Sequence, residues 1–569
     1  MNSVCLPLSV PFQWMFSLFA FFLVAFGQPA WLPWNGLIAA VFGFALFWRV
    51  LLAYPLPWQR FCLATLWFTA VQLVQLSWFT SHPYGYIYGV YAFLSIGVGI
   101  QFGLLALLIR PEIFTPPSVL RPLWNFLLIA AAWVVLEWSR LLIFSGLSWN
   151  PVGLALTSSV YALQAASLAG VFGLSFWLVF VNLLALWTWI QKKITPTVLW
   201  LFAAALPYLY GAHVFFHTSY DPSSHSSHLT TVLVQTAFAP EEIKAGKQNL
   251  LDHVLDEWKA ILTILKPHQG TPIHLIVLPE FVVPFGTYSD VYPLAKVHQA
   301  FLEIFGDASL PRLPDPSLPF ASVQHTPAGM QWFVNNAYWT QSLANLFQAD
   351  ILIGLEDAED TAPHTREYYS AAIFMHPQKE GLASDLFAER YAKRVLVPMG
   401  EYIPFEACRK LAQGYGVFSS FTCGKEAVVM NTHGIRFSPS ICYEETFGDV
   451  MKEGRQKGAD LLVNLTSDVW YPNSKLPRQH LDHARLRTVE NGVPLIRACN
   501  TGITSAIDSF GRDIATLGGE HPEEVEWQPG SLLVHVPLYS YATLYSRFGD
   551  SLIIAFCLFL WLIEKCRFK

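Results

Sequence analysis

A carboxylate, an ammonium and a thiol stand in three short, separate motifs: Glu280 in Leu278-Pro279-Glu280, Lys393 in Tyr391-Ala392-Lys393-Arg394, and Cys442 in Ile441-Cys442-Tyr443-Glu444. These groups make a complete set for acyl transfer. The thiol attacks a carbonyl, the carboxylate takes its proton, and the ammonium steadies the oxyanion. Each residue alone also has a bland reading, as a capping carboxylate, a solvated lysine or a small buried cysteine. The surrounding segments separate the two readings. Glu280 follows the apolar run Ile273–Leu278 and Cys442 follows the run Phe437–Ile441, so both are expected at strand ends. Lys393 sits in a segment whose pattern assigns no element. A helix is expected soon after Cys442, and a thiol at a helix N-terminus would have its thiolate favoured by the dipole and by free N–H groups.

The elements that must position this set lie in residues 220–545, where charge density is ordinary. Strands are expected at Thr231–Gln235, His274–Leu278, Ile351–Leu355, Ala371–Met375, Arg436–Ile441, Leu461–Leu465, Val493–Ala498, Thr504–Asp508 and Ser531–Val536. Helices are expected at about 241–266, 288–304, 445–457 and 476–491. Strands alternating with helices indicate an α/β domain with packed sheets. Residues 306–335, rich in Pro and polar side chains, read as one long loop of the kind that forms lids. Cys408 and Cys423 could pair in an oxidising compartment, but spacing alone leaves that open. His480 and His483 read as two polar positions of a helix. No Cys-x-x-Cys or histidine cluster is present, so no metal and no cofactor is expected.

The rest of the chain has a different character. Of 569 residues, 53% are hydrophobic and only 13% charged, with 21 Trp and 43 Phe. Soluble domains carry about 25% charged residues, so the composition is that of a membrane protein. A net charge of −6 and the lack of a basic stripe exclude nucleic acid as a partner. A helix needs about 20 apolar residues to cross a bilayer. Seven candidates precede the α/β region, at about 9–26, 35–53, 61–79, 86–109, 121–138, 163–190 and 197–216, and an eighth follows at about 548–565. The expected division is a membrane domain over 1–219, a catalytic domain over 220–545, and a last span with a basic tail over 546–569. The first segment reads as a retained span, since Met1 to Pro11 lacks a basic n-region. Arg49, Arg60, Arg110, Arg121, Lys192 and Lys193 flank alternate loops on the side that also receives Lys565, Arg567 and Lys569. That side is expected to be cytoplasmic, with both termini, and the 220–545 domain extracytoplasmic. A site working on lipid chains would then lie close above the membrane plane, because extracting a chain costs about 0.8 kcal/mol per CH₂.

Taken together, the three motifs resemble the nitrilase or carbon–nitrogen hydrolase superfamily, whose triad is Glu-Lys-Cys. The stretch Tyr391 to Pro404, with Lys393, Leu396, Val397, Pro398, Gly400, Glu401, Tyr402 and Pro404, matches its lysine motif. With the membrane spans added, the whole length resembles the apolipoprotein N-acyltransferases, a membrane branch of that superfamily. Glu137-Trp138-Ser139-Arg140, the Phe144–Trp149 segment, Asn464–Trp470, Gln479-His480, Ala484-Arg485 and Asn500-Thr501-Gly502 also match. Leu147-Ser148 replaces the usual Phe-Pro, Ser467 stands where Asn is common, and the 306–335 loop is long. The resemblance implies a helical membrane domain of about eight spans plus an α-β-β-α sandwich. It implies that Cys442 takes an acyl group from a phospholipid, with phosphatidylethanolamine the expected donor, and passes it to the α-amino group of an S-diacylglyceryl-cysteine apolipoprotein. Glu280, Lys393 and Cys442 would be catalytic. The Tyr443 backbone N–H would help hold the oxyanion, Glu401 and Glu444 would orient Lys393 or be plain structural salt-bridge partners, and Trp149 and Trp470 would contact substrate or anchor the chain at the membrane interface. A monomer is expected. The competing readings are a membrane-tethered amidase, for which eight spans are excessive, and a non-catalytic scaffold or transporter, which would not need all three triad residues.

Overall fold

The computed structural model describes residues 9–115, 118–217, 228–239, 250–327, 329–362, 365–378, 388–414 and 420–567. The chain forms two compact units. One takes Met1–Tyr220, Tyr471–Gly492 and Ala542–Lys569, the other Asp221–Trp470 and Val493–Tyr541.

The first unit is helical because its runs are apolar nearly all round, and a backbone in lipid must satisfy its own hydrogen bonds. Pro33–Leu51, Ile87–Ala106, Leu120–Leu142, Ala166–Gln191 and Ile194–His217 are the five helices long and apolar enough to cross a membrane among the described residues. The other three expected spans are also helices, but Val10–Ala25 and Ser551–Arg567 are short, at 16 and 17 residues. Pro57–Gln75 carries buried Arg60, Gln72 and Gln75. Helix Ala166–Gln191 is kinked at Ala169 and Gly170. Gly170 has φ of 63°, and a Cβ there would lie 2.3 Å from the Tyr545 ring. The N–H freed by the kink, that of Val171, donates to Glu490 Oε1 at 2.9 Å. Glu490 belongs to helix Leu476–Asn491, whose Leu486 and Val489 share the helical unit's apolar core. That helix therefore groups with the spans, although it falls inside the stretch whose sequence reads as the α/β domain.

The second unit is a pair of sheets. The first has the order β15-β1-β2-β6-β7-β8, from β1 (His228–Gln235), β2 (Leu275–Val277), β6 (Asp350–Ala362), β7 (Thr365–Met375), β8 (Glu389–Ala392) and β15 (Gly530–Pro537). The second has the order β14-β13-β12-β11-β10-β9, from β9 (Met430–Thr432), β10 (Ile435–Ile441), β11 (Leu461–Thr466), β12 (Leu495–Cys499), β13 (Ser505–Ile507) and β14 (Asp513–Thr516). Both have parallel centres and antiparallel edges: β1, β2 and β6 run parallel, as do β10, β11 and β12. One core lies between the sheets, where Leu233, Leu275, Val277 and Phe374 meet Phe437, Leu461, Val463 and Ile496. A second lies on the outer face of the first sheet, built with helices Leu250–Leu265, Leu294–Phe305 and Asn336–Phe347. Helix Gly448–Gln456 packs on β10 and β11. The result is the layered α-β-β-α arrangement.

One expectation is corrected. Residues 306–335 are not one loop: β4 (Ala321–Thr326) and β5 (Gly329–Val334) form a hairpin that adds to β3 (Tyr292–Pro293). Helix Asn336–Phe347 follows and was not foreseen. The first part of the helix expected at 241–266 lies outside the described residues; its remainder is Leu250–Leu265. Cys408 and Cys423 are both free thiols.

Candidate active site

Three strand ends of the second unit bring Glu280, Lys393 and Cys442 together. Glu280 lies three residues beyond β2, Lys393 directly follows β8, and Cys442 directly follows β10. Lys393 is fully buried, and its Nζ donates to Glu280 Oε1 at 2.8 Å and to Glu401 Oε1 at 2.6 Å. The Cys442 thiol donates to the Glu280 carboxylate. A proton acceptor thus touches both the thiol and the ammonium, and a second carboxylate holds the ammonium from the other side.

Each residue is held by its backbone. The Lys393 N–H donates to Ser370 O on β7, and its carbonyl accepts from Gly424 N, both at 2.8 Å. A Cβ on Gly424 would sit 2.0 Å from Ala392 O, so only glycine fits beside this strand end. Glu280 is pressed against β6 in the same way: a Cβ on Gly354 would meet Pro279 O at 2.5 Å and Glu280 Cα at 2.6 Å. Glu401 closes a tight loop in which its Oε2 accepts from Val397 N at 2.9 Å and its N–H donates to Val397 O at 2.9 Å. Strained backbone gathers here. Phe281, Met399 and Cys442 have φ of 42°, 67° and 52°. Each such residue costs on the order of 1–3 kcal/mol and persists only where its surroundings over-determine it.

Glu444 does not touch Lys393. It is fully buried, and its carboxylate joins the two motifs through their backbones. Oε1 accepts from Arg394 N at 2.5 Å and Val395 N at 3.1 Å, and Oε2 accepts from Ile441 N and the Tyr391 hydroxyl, both at 2.8 Å. Tyr443 is buried in the 3-10 turn Cys442–Thr446, its ring edge-on to Phe447 at 4.8 Å. Trp470 is half-buried in the turn after β11. Trp149 belongs to the helical unit, where it is buried against Trp78, His480 and His483 with ring centroids 5.3, 5.6 and 5.4 Å away.

Burial dominates the electrostatics. It raises the Glu280 carboxyl above its ordinary value; Glu401 adds to the rise and Lys393 opposes it. Burial alone would lower Lys393, but the Glu280 and Glu401 carboxylates outweigh it and hold the ammonium well above its usual range. The Cys442 thiol is pushed well above its ordinary value, first by burial and then by Glu280, with Lys393 pulling the other way. Burial and Glu280 thus act against the thiolate that a helix N-terminus would favour. The regular helix starts only at Gly448, and the turn that follows Cys442 carries Glu444 and Glu445.

The sequence reading did not pick out the ion pair behind this turn. Arg497 on β12 lies 3.3 Å from Glu445, and both are fully buried. A charge inside the apolar run Leu495-Ile496-Arg497-Ala498 was the signal, because a buried arginine needs a partner.

A strand-end Glu-Lys-Cys cluster on a double-sheet sandwich, in a chain with membrane-length helices, defines a multi-pass membrane enzyme with a carbon–nitrogen hydrolase domain. Sequence comparison agrees. The Carbon-nitrogen hydrolase family model matches residues 239–528, and the Apolipoprotein N-acyltransferase N-terminal domain model matches residues 22–184. The apolipoprotein N-acyltransferase of Chlamydia pneumoniae is 32% identical over 552 residues, covering 94% of each chain. That of Chlamydia trachomatis serovar D is 32% identical over 560 residues, again 94% of each. Among solved structures, a Nesterenkonia amidase of the nitrilase superfamily is 18% identical and covers 55% of this chain and 91% of its own, with a TM-score of 0.31. The chain belongs to the apolipoprotein N-acyltransferase family.

Proposed function

We propose that this protein moves an acyl chain from a phospholipid, through a thioester on Cys442, to the α-amino group of the S-diacylglyceryl-cysteine of apolipoproteins. The observation that carries the reading is the Lys393 ammonium, clamped between Glu280 at 2.8 Å and Glu401 at 2.6 Å, with the Cys442 thiol on the same Glu280 carboxylate.

In the first half-reaction Cys442 Sγ attacks the ester carbonyl of the donor, taken to be phosphatidylethanolamine, and its proton passes to Glu280. A carboxylate raised by burial is the better base for this task. Lys393 stays charged throughout and balances the oxyanion, together with the Tyr443 backbone N–H. The lysophospholipid leaves with the proton that Glu280 returns. In the second half-reaction the acceptor amine attacks the thioester, Glu280 takes the amine proton, and Cys442 is regenerated. Glu401 keeps Lys393 in place, Glu444 fixes the spacing of the lysine and cysteine motifs, and Trp149 and Trp470 guide the lipid substrates. The chain is a monomer of the bacterial inner membrane with eight spans, cytoplasmic termini and an extracytoplasmic catalytic domain. The basic loops support that orientation.

The test supplies purified protein with phosphatidylethanolamine labelled in its acyl chains and a synthetic diacylated lipopeptide. Label on the lipopeptide amine, with little free fatty acid, is expected. Release of free fatty acid without amide formation would indicate a hydrolase instead.

A further inference from the structure

β11 runs beside β10 in parallel register, with Leu465 opposite Ile441, so Thr466 and Cys442 leave the ladder side by side. Asn464 and Thr466, two residues apart, project from the same face of β11. Asn464 uses its amide on the cysteine turn: Nδ2 donates to Cys442 O at 3.3 Å and to Ser440 Oγ at 3.0 Å. Thr466 is fully buried, and its carbonyl is tied to Asn500 N at 2.9 Å. Its hydroxyl completes no hydrogen bond to an oxygen or nitrogen, and the polar group it approaches is the Cys442 thiol. Buried hydroxyls nearly always find a partner, so one without calls for an explanation. A hydroxyl in this place favours the charged sulfur against the effect of burial. A threonine that merely filled volume would serve as well as valine.

We propose that the Thr466 hydroxyl donates a hydrogen bond to Cys442 Sγ whenever the sulfur carries negative charge, as it attacks the donor ester and again as it leaves the thioester. This rests on Cys442 being the nucleophile. The thiol proton goes to Glu280, the S–C bond forms as the ester C–O bond breaks, and Thr466 keeps its own proton. A donor aimed at the place where charge develops strengthens as that charge grows, and so acts on the barrier more than on ground-state binding.

The experiment compares full-length wild type, Thr466→Val, Thr466→Ser and Cys442→Ala in detergent. Iodoacetamide alkylation of the Cys442 peptide is followed against pH, and acyl-adduct formation from phosphatidylethanolamine is followed in single turnover. Thr466→Val is expected to move the alkylation midpoint to higher pH and to slow adduct formation about tenfold, the scale of one hydrogen bond to a charge. Thr466→Ser is expected to stay within about threefold of wild type, because it keeps the donor. An unchanged midpoint and rate in Thr466→Val overturns the proposal. So does equal loss in both threonine variants with a lowered Tm, which would mark a structural role. Normal acyl transfer by Cys442→Ala overturns both the proposal and the nucleophile assignment beneath it.

Discussion

Glu280 has to be ionised to accept a proton, and its environment makes ionisation harder. Acyl-adduct formation should therefore fall as pH drops through a midpoint above the ordinary carboxylate value of 4.5, since burial and Glu401 both raise Glu280. Glu401→Gln removes one of those two causes. Its pH–rate midpoint should shift downward while its maximal rate falls, because Lys393 loses one of its two clamps. Single-turnover adduct formation across pH reads both effects, and an unmoved midpoint would show that Glu280 is not the titrating base. Glu444→Gln should act differently. The buried carboxylate accepts four hydrogen bonds, and an amide has only one oxygen to offer. The cost should be roughly 3 kcal/mol of stability together with lost activity, read as a lowered Tm.

At the scale of elements, the site depends on strand ends meeting where only glycine lets them approach. Gly354→Ala would drive a Cβ into the backbone of Pro279 and Glu280, so the carboxylate must move. Adduct formation should drop about a hundredfold, the usual effect of an ångström-scale misplacement, with lipid binding in sedimentation assays preserved. The strand before Glu280 was legible as the buried apolar run Leu275-Ile276-Val277, and the one before Cys442 by the alternate positions Phe437 and Ile441, which face the core between the sheets. What escaped had weaker patterns for physical reasons. β8, which delivers Lys393, is four residues long and sits at a sheet edge with charged Glu389 and Arg390. The β4–β5 hairpin is largely exposed and follows a proline-rich stretch, so it reads as loop. Helix Asn336–Phe347 is buried at every position, so its polar residues Asn336, Thr340, Gln341, Ser342 and Asn345 mark no solvent face, and the apolar period is blurred. Its one clear signal was Asn335, whose side chain caps Tyr338 N at 3.1 Å. The three residues that meet at the strand ends were readable from three motifs, but the upward shift of the Cys442 thiol was not. Its state follows from dehydration and from Glu280, which only the assembled site brings together.

At the scale of the whole chain, the division between apolar spans and an α/β region was visible in composition, whereas the membership of Leu476–Asn491 in the helical unit was not, because its overall character is polar. The proposed orientation makes a prediction for thiol labelling. Cys423 in the α/β unit and Cys566 near the C-terminus are both exposed. In spheroplasts with single-cysteine variants, a membrane-impermeant maleimide should label Cys423 and spare Cys566 until the membrane is opened. The reverse pattern would place the catalytic unit in the cytoplasm. The most direct test of the central claim is the intact mass of the purified protein after incubation with phosphatidylethanolamine, beside Cys442→Ala. A hydroxylamine-labile acyl adduct should form on wild type alone and be discharged by a diacylated lipopeptide. An adduct on Cys442→Ala, or one on wild type discharged only by water, would contradict it.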